Sequence, residues 1–290
     1  MAIISGGQPL WLRQKAPDPL LLAEMEELLD GLSLHTVCEA AQCPNQGECF
    51  SCRTATFLLM GDTCTRNCRF CAIKKGRPLP LDPDEPQHVA RAVSALKLKH
   101  AVVTSVTRDD LPDGGAGHFA RTVEAIRQHN PEVSIEVLIP DFQGSPQALE
   151  EIITSEPQVI NHNLETVPSL YAEVRPGAEY HRSLDLLRMV KVTNPRIVTK
   201  SGLMLGLGEQ HSEVIKVMEE LCAAGCDCLT IGQYLPPSPA HHQLVRYVTP
   251  SEFEQYQRTG MEMGFGAVVS GPLVRSSFKA GEAYRQVINK

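Results

Sequence analysis

The chain has 290 residues, of which 42% are apolar and 21% charged, a composition that supports a buried core and excludes a largely disordered protein. Its formal net charge of −7 argues against a nucleic-acid partner, because a phosphate backbone is bound mainly through Lys and Arg. Since no apolar run of about eighteen residues occurs and residues 1–17 lack a secretory pattern, we expect a cytoplasmic protein without a membrane partner.

Seven of the ten cysteines lie between Cys38 and Cys71, in two groups of three. The first group is Cys38-x4-Cys43-x5-Cys49, and the Pro, Asn and Gly residues within it predict a loop rather than a regular helix. Cys52 follows and is a possible fourth ligand. Cysteines grouped in this way are typical of metal ligands in a reducing compartment rather than of disulfide pairs.

The second group, Cys64-x3-Cys68-x2-Cys71, follows an apolar segment that predicts a buried strand over Thr56–Met60, ending at Gly61. The carboxyl end of a strand is where α/β barrels place their chemistry. Three thiolates can hold three irons of a four-iron cluster and leave the fourth iron open to a ligand that is not protein. A zinc site or a closed, electron-carrying cluster is the alternative for such short spacings.

Strand-like and helical segments alternate through the middle of the chain, which predicts parallel strands with right-handed crossovers. The six predicted strands are Thr56–Met60, Ala101–Val106, Val133–Ile139, Val159–Asn163, Ile197–Leu205 and Cys228–Tyr234. The predicted helices are Pro86–Lys99, His118–Gln128, Pro146–Thr154 with Ser145 as N-cap, and Ser212–Ala224 ending at Gly225. We therefore expect an α/β protein with a partial (β/α)6 TIM-type barrel over residues 54–248. An N-terminal extension, 1–53, carries the first cysteine group, and a C-terminal extension covers 249–290.

Polar residues at or just after the predicted strand ends are candidates for binding a cofactor or a substrate. They are Asp109, Asp110, Asn161, Asn163, Glu165, Arg175 and Lys200. Each of them has a second interpretation as a loop cap or an ion pair. For Lys200 the second interpretation is structural pairing with one of these carboxylates.

Two further sets of residues invite a metal-binding interpretation, and for both we favour a structural one. His162, His241 and His242 are interpreted as hydrogen-bonded structural residues. Cys222, Cys226 and Cys228 fall on a predicted helix and strand, where a free cysteine is an ordinary small buried residue.

A basic run surrounds the second cysteine group inside this acidic chain. It consists of Arg53, Arg66, Arg69, Lys74, Lys75 and Arg77. Two interpretations are open, a solvated face and a docking surface for an acidic protein partner.

The segment GDTCTRNCRFC, with its C-x3-C-x2-C spacing, resembles the radical S-adenosylmethionine (SAM) enzymes. The upstream C-x4-C-x5-C group, together with GPLVRSSF at Gly271–Phe278, resembles the lipoyl synthase family among them. Further stretches agree over most of the chain, namely TSVTRDDLPDGGAGHF, HNLETVPSLYAEVRPGAEY, TKSGLMLGLGE and GQYLPPSPAHHQLVRYVTP.

The resemblance implies a sulfurtransferase that inserts sulfur at C6 and C8 of a protein-bound octanoyl chain, forming lipoyl-lysine. It implies two 4Fe-4S clusters and SAM as cofactors. Cys64, Cys68 and Cys71 would hold the cluster that cleaves SAM into a 5′-deoxyadenosyl radical. The first cysteine group, Cys38, Cys43 and Cys49, would hold an auxiliary cluster whose sulfides are the inserted sulfur.

The same resemblance makes Ser277, by position, the fourth ligand of the auxiliary cluster. From their places in the chain beside Ser277, we expect Arg275 to steady the released anion or the substrate and Ser276 to cap the turn. Phe278 stands where the family commonly has Tyr, which puts in doubt only the contacts of that hydroxyl.

SAM contacts are implied as well. Gly202-Leu-Met-Leu-Gly-Leu-Gly-Glu209 fits the GxIxGxxE pattern of the radical SAM barrels, in which Met204 takes the position that packs against adenine. With Gly202 and Met204, the residues expected to contact SAM or substrate are Asn161, Asn163, Glu165, Arg175 and Lys200.

The implied partners are an octanoylated lipoyl domain or carrier protein, an electron donor such as a ferredoxin or flavodoxin, and an iron-sulfur carrier that repairs the auxiliary cluster. Two alternatives were weighed. Another sulfur-inserting radical enzyme, such as a biotin synthase or a tRNA methylthiotransferase, is disfavoured by the upstream group with its serine tail and by the acidic charge. A non-catalytic electron-transfer protein is disfavoured because the second group has no obvious fourth cysteine.

Overall fold

Seven parallel strands lie side by side in the computed structural model, which describes residues 7–13, 18–52 and 54–290. The strands are β1 (His35–Thr36), β2 (Thr56–Leu59), β3 (Thr63–Cys64), β4 (Lys74–Lys75), β5 (His100–Ser105), β6 (Ser134–Leu138), β7 (Val159–Asn161), β8 (Val198–Leu205), β9 (Cys228–Gln233) and β10 (Ala267–Gly271). The main sheet has the order β1-β2-β5-β6-β7-β8-β9-β10, in which only β1 is antiparallel to its neighbour. β3 and β4 form a separate two-stranded ribbon.

Helices connect the parallel strands and flank the sheet. They are α1 (Pro19–Gly31), α2 (Val37–Ala40), α3 (Gln46–Ser51), α4 (Glu85–Ala95), α5 (Ala116–His129), α6 (Pro146–Thr154), α7 (Tyr171–Val174), α8 (Tyr180–Thr193), α9 (His211–Ala223), α10 (Pro250–Met263) and α11 (Ala280–Ile288). Short 3-10 helices lie at Leu10–Leu12, Phe142–Gly144 and Pro168–Leu170. Within the described part of the chain, none of these helices has the length and apolar character that a membrane span requires.

The predicted α/β partial barrel is confirmed, and all six predicted strands are present close to their expected bounds. Both predicted extensions also enter the sheet. β1 comes from residues 1–53 and β10 comes from residues 249–290, so β10 adds a seventh parallel strand beside β9.

Most predicted helices agree with the structure. α6 has its predicted bounds, and the Ser145 hydroxyl accepts a hydrogen bond from the Ala148 amide, as a helix N-cap does. α4 ends at Ala95 rather than at Lys99, because the chain turns at Lys97, whose φ of 54° lies in the left-handed region.

The loop predicted around the first cysteine group is wrong, since Cys38 lies on α2 and Cys49 on α3. The Thr36 hydroxyl begins α2 by accepting a hydrogen bond from the Glu39 amide. The Pro and Asn residues that favoured a loop lie in the connection between the two helices and interrupt neither.

A charged cluster lies inside the barrel. Glu136 on β6, with a relative exposure of 0%, accepts hydrogen bonds from Lys200 on β8 at 2.8 Å and from the Asn161 amide on β7 at 3.1 Å. His100 on β5 lies 3.3 Å from the same carboxylate. Burial alone would raise the pKa of Glu136, but the Lys200 ammonium and His100 outweigh it and hold the pKa to about 2. This cluster therefore joins four neighbouring strands through side chains that share the Glu136 carboxylate.

Replacing Glu136 by Gln should destabilise the protein by about 3–5 kcal/mol near neutral pH, because the Lys200 ammonium is left buried without its anion. A depressed pKa means that the ionised carboxylate stabilises the fold fully above its ordinary value of 4.5, and that this contribution disappears as pH falls toward about 2. The difference in the free energy of unfolding between wild type and Glu136→Gln should therefore become smaller as the pH falls over that range.

Urea unfolding followed by circular dichroism, near neutral pH and at about pH 3, measures this difference. Glu150→Gln, on the exposed face of α6, is the matched control and should change little at either pH. A penalty for Glu136→Gln that is the same at both pH values would contradict the ionised pair.

Candidate active site

The second cysteine group lies in the loop that the β3–β4 ribbon closes. Cys64 is the last residue of β3, and its sulfur accepts hydrogen bonds from the backbone amides of Arg66 at 3.4 Å and Thr107 at 3.3 Å. Burial raises the pKa of Cys71 to about 12, and the neighbouring Cys68 and Cys64 add to the rise. Amide donors aimed at sulfur suit a metal-bound sulfur, and a buried thiol such as that of Cys71 ionises where a positive centre compensates it. The donor set therefore fits an iron-sulfur cluster.

Arg66, inside this loop, ties the loop to the carboxyl ends of two strands. Its guanidinium lies 2.7 Å from Asp109, after β5, and 2.5 Å from Asp141, after β6. Arg182 on α8 adds a contact of 3.2 Å to Asp141. Burial alone would raise the pKa of Asp141, but Arg66 outweighs it and holds the pKa to about 2. Asp109 was a predicted site residue, whereas the roles of Arg66 and Asp141 were missed.

Asn163, Glu165 and Arg175 form one polar group where β7 and β8 approach the second cysteine group. The Asn163 amide donates to the Glu165 carboxylate at 3.1 Å, and Arg175 donates to the Asn163 carbonyl at 2.8 Å. Burial raises the pKa of Glu165, which Arg175 opposes. Glu165 has a φ of 69°, in the left-handed region that non-glycine residues rarely adopt, and such strain clusters at functional sites.

An apolar cluster lies beside this polar group. Its buried residues are Val174, Leu207 and Tyr234, and the partly buried residues packed against them are Phe70, Leu170, Met204 and Leu244. Phe70 belongs to the second cysteine loop, and the neighbouring Arg69 amide donates to the Val174 carbonyl at 2.9 Å. An apolar wall next to a few convergent polar groups is typical of a small-molecule site.

The three cysteines of the first group are close neighbours as well. Cys38 is buried, and its backbone carbonyl accepts a hydrogen bond from the Cys43 backbone amide at 3.0 Å. Burial raises the pKa of Cys38 to about 12 and that of Cys49 to about 11, and the neighbouring Cys43 adds to both rises. Cys52 is exposed at the end of α3. In residues 7–13, 18–52 and 54–290, no three His, Cys, Asp or Glu side chains are placed to hold a single metal ion.

The segment after β10, residues 272–279, contacts both the first cysteine group and the polar group of Asn163, Glu165 and Arg175, and we call it the C-terminal tail. The Asn45 side-chain amide, in the first cysteine group, donates to the Leu273 carbonyl at 2.7 Å. The Ser276 hydroxyl donates to the Asn163 side-chain oxygen at 2.9 Å. The interpretation of Ser276 as a turn cap is therefore wrong, because its partner lies on another element of the barrel.

Arg275 and Ser277 lie beside this contact. The Arg275 guanidinium donates to the Val274 carbonyl at 2.7 Å, and no carboxylate of the described residues lies within ion-pair distance of it. Burial lowers the pKa of Arg275, and Cys43 opposes the fall, which places the guanidinium near the first cysteine group. Ser277 is half-buried, and its hydroxyl makes no hydrogen bond to any residue that the structure describes.

The remaining predicted residues divide into two sets. Gly202 and Met204 lie on β8 beside the polar group, whereas Asn161 and Lys200 belong to the Glu136 cluster inside the barrel. Lys200 therefore does pair with a carboxylate, although with one that the sequence did not single out. Asp110 pairs with Arg108 at 2.8 Å.

The predicted structural residues have partners of their own. His162 contacts the Ile139 carbonyl at 2.8 Å and the Ser183 hydroxyl at 2.9 Å, and burial lowers its pKa to about 4. Further contacts join His241 to the Cys71 carbonyl, His242 to Glu173, and Cys222 to the Met263 carbonyl. Cys226 and Cys228 are buried, as predicted.

Replacing Arg66 by Met should weaken the attachment of the second cysteine loop, because Asp109 and Asp141 lose their shared cation. We expect the variant to retain about four fewer irons per chain than wild type after gel filtration with a chelator. Arg91→Met, at an exposed position of α4, should retain the wild-type iron content. Equal iron retention in wild type and Arg66→Met would show that the ion pairs do not hold the loop.

Comparison with known proteins agrees with this geometry. The radical SAM superfamily matches residues 58–221. The lipoyl synthase of Alkaliphilus metalliredigens is 54% identical over 276 residues, covering 95% of each chain. The lipoyl synthase of Syntrophotalea carbinolica is 55% identical over 283 residues, covering 97% of this chain and 92% of the relative.

Solved structures share the fold at low sequence identity. Methylornithine synthase (PylB) aligns with a TM-score of 0.57 at 12% identity, over 93% of this chain and 82% of that one. HydG, a maturase of the FeFe-hydrogenase, aligns with a TM-score of 0.59 at 14% identity, over 92% of this chain and 66% of that one. The family match covers more than half of the chain, and the identity to lipoyl synthases is high over nearly the whole length. With the cysteine loop on a partial barrel, these findings show that the chain belongs to the radical SAM superfamily and, within it, to the lipoyl synthase family.

Proposed function

We propose that this lipoyl synthase uses its two cysteine groups for two separate tasks, radical formation and sulfur donation. The observation that best supports this proposal is that the C-terminal tail contacts both Asn45 in the first cysteine group and Asn163 at the candidate SAM site. A reaction that breaks a C–H bond in one place and delivers sulfur from another requires both sites to face one substrate. The substrate would be the octanoyl chain of a lipoyl domain, thiolated at C6 and C8.

In this proposal Cys64, Cys68 and Cys71 hold three irons of the cluster that the radical SAM family implies. SAM would supply a 5′-deoxyadenosyl radical able to take hydrogen from an unactivated C–H bond, with the electron coming from an external reductant. Phe70 and Met204, in the apolar cluster, would pack against the adenine and exclude water from it.

The polar group would hold the rest of SAM. Asn163 and Glu165 offer acceptors and donors suited to ribose hydroxyls or to the amino group, and Arg175 carries a charge suited to a carboxylate. Their own hydrogen bonds fix them in place, which reduces the entropy lost on binding. Asn161 and Lys200 are satisfied by Glu136 instead, so a structural contribution is better supported for them than a direct SAM contact.

The first cysteine group would hold the auxiliary cluster, with Ser277 as the fourth ligand. Two features support this choice of serine: the Ser276 hydroxyl is already engaged with Asn163, whereas that of Ser277 has no partner in the described part of the chain. A metal ion lowers the pKa of a coordinated oxygen by many units, which allows an alkoxide to bind at neutral pH. Oxygen is a harder donor than thiolate, so this ligand should leave most readily when sulfur is given up. Arg275, without a carboxylate partner among the described residues, is suited to steady the resulting anion.

Three partners follow from the proposed reaction. One is an octanoylated lipoyl domain or carrier protein, the second is a reductant for the radical cluster such as a ferredoxin or flavodoxin, and the third is an iron-sulfur carrier that rebuilds the auxiliary cluster. We propose a cytoplasmic location, which the free cysteines support because thiols are kept reduced there.

The exposed basic surface near the second cysteine group is the proposed docking site for the acidic carrier domain. It consists of Arg69, Lys74, Lys75 and Arg77, all exposed and none ion-paired within the described residues. Leu79, 81% exposed, lies next to it in the chain and adds an apolar contact. Arg66 is excluded from this surface by its internal ion pairs, and Arg53 lies outside the described residues.

Replacing Cys38, Cys43 and Cys49 together by Ala should abolish sulfur insertion and leave SAM cleavage intact, because the sulfur and the radical come from different clusters. Replacing Cys64, Cys68 and Cys71 together should abolish both activities. The measurement is anaerobic incubation with octanoylated lipoyl domain, SAM and dithionite, followed by mass spectrometry of the domain and quantification of 5′-deoxyadenosine.

Cys52→Ala is the matched control and should retain both activities, since its thiol is exposed at the end of α3. Thiolated product from the first triple variant would mean that the sulfur has another source. A wild-type enzyme that cleaves SAM without adding two sulfur atoms to the domain would overturn the proposed function.

Reversing the charge of Lys74, Lys75 and Arg77 together to Glu should raise the KM for the octanoylated domain about tenfold at low salt, because charges at the edge of an interface mainly set the association rate. Turnover of a short octanoylated peptide should not change. The same reversal at Lys97 and Lys99, exposed after α4, serves as the control. An unchanged KM for the intact domain would show that the basic surface is exposed to solvent and does not bind the domain.

A further inference from the structure

Asn163 connects three parts of the candidate site through its side chain and its backbone carbonyl. Its side-chain oxygen accepts the Ser276 hydroxyl at 2.9 Å, its amide donates to Glu165 at 3.1 Å, and its backbone carbonyl accepts from Arg175 at 2.8 Å. Ser276 is thereby the point where the C-terminal tail is tied to the polar group proposed to hold SAM.

Two glycines let the tail come this close to the barrel strands. A β-carbon added to Gly202, on β8, would lie 2.8 Å from the Asn163 oxygen and 3.0 Å from the Ser276 hydroxyl. A β-carbon on Gly232, on β9, would lie 2.1 Å from the Val274 carbonyl. The distance of 2.1 Å is far shorter than carbon and oxygen atoms tolerate, and the distances of 2.8 and 3.0 Å are tight enough that the neighbouring atoms would have to move. Side chains on either strand at these positions would push the tail away, so its position is built into both strands.

The tail is also fixed on its other side. The Asn45 amide holds the Leu273 carbonyl at 2.7 Å, and Asn45 lies between Cys43 and Cys49 of the first cysteine group. Leu273 and Ser276 are three positions apart. A very short length of chain therefore spans the distance from the first cysteine group to the polar group that contains Asn163, with Ser277 immediately after it.

We propose that Ser276 is a positioning residue: its hydrogen bond to Asn163 sets the distance between the sulfur-donating site and the SAM site. This inference rests on the proposed function, in which a substrate radical formed at one site must be captured by sulfur held at the other. Effective capture needs the reacting atoms at near-contact distance, and small displacements cost large factors in rate. Ser276 acts through the tail and touches neither reactant.

The geometry makes the inference specific to one step. Loss of the Ser276 hydroxyl releases the tail from Asn163, but it leaves the hydrogen bonds of Asn163 with Glu165 and Arg175, the cysteines and the apolar cluster in place. Radical formation should therefore continue, while a larger share of radicals fails to meet sulfur. The diagnostic quantity is the amount of thiolated domain formed per 5′-deoxyadenosine, which a general loss of stability would leave unchanged.

The test compares the reconstituted wild type with Ser276→Ala, Ser276→Thr and Ser270→Ala. The Ser270 hydroxyl donates a hydrogen bond to the Phe253 carbonyl at 2.8 Å, and neither residue belongs to the tail. Ser270→Ala is therefore the matched control. We expect Ser276→Ala to keep the wild-type iron content and SAM cleavage within about twofold, and to lose about tenfold in thiolated domain per 5′-deoxyadenosine. Ser276→Thr keeps a hydroxyl and should recover most of the loss, and Ser270→Ala should match wild type.

Three results would overturn the inference while leaving the proposed function in place. The first is a wild-type product ratio in Ser276→Ala, and the second is the same fall in product ratio in Ser270→Ala. The third is a loss of about four irons in Ser276→Ala, which would make Ser276 itself the cluster ligand. A wild type that cleaves SAM and adds no sulfur would instead overturn the proposed function, and this inference with it.

Discussion

The ion pairs of Arg66 with Asp109 and Asp141 are the constraint on which the position of the second cysteine group depends. Parallel strands end at one edge of a sheet, so the segments that follow β2, β5 and β6 meet there. A single guanidinium in the cysteine loop joins the carboxylates that follow two of those strands. Phe70 of the same loop packs against the apolar cluster. The candidate SAM site therefore depends on the loop being held in this place.

The second constraint is electrostatic. Burial raises the pKa of Cys38 and of Cys71 to about 12, so neither thiol would ionise at neutral pH without a bound positive centre. In the proposed clusters, iron would supply that charge and turn these buried thiols into ligands. The C-terminal tail, through its contacts to Asn45 and Asn163, connects the first cysteine group with the polar group beside the second one.

The sequence was sufficient for features that depend on local pattern. Apolar runs located the six barrel strands, and cysteine spacing with the serine tail led to the family, because both are properties of short segments. The helix α10 also carried a readable signal that was missed: Thr249 and Glu252 form a capping box and Gly264 ends the helix in the left-handed region. The pairing of Glu136 with Lys200 and of Ser276 with Asn163 carried no such signal, because partners 64 and 113 positions apart are defined only by tertiary packing.

The central claim is that the sulfur leaves a cluster held by the first cysteine group and reaches the carrier domain within one chain. Reconstituting the protein with heavy-isotope sulfide and running a single turnover in unlabelled buffer tests this claim most directly. The account predicts a lipoyl domain that carries two labelled sulfur atoms, with none when Cys38, Cys43 and Cys49 are replaced. Unlabelled sulfur in the product of the labelled wild-type enzyme would contradict it.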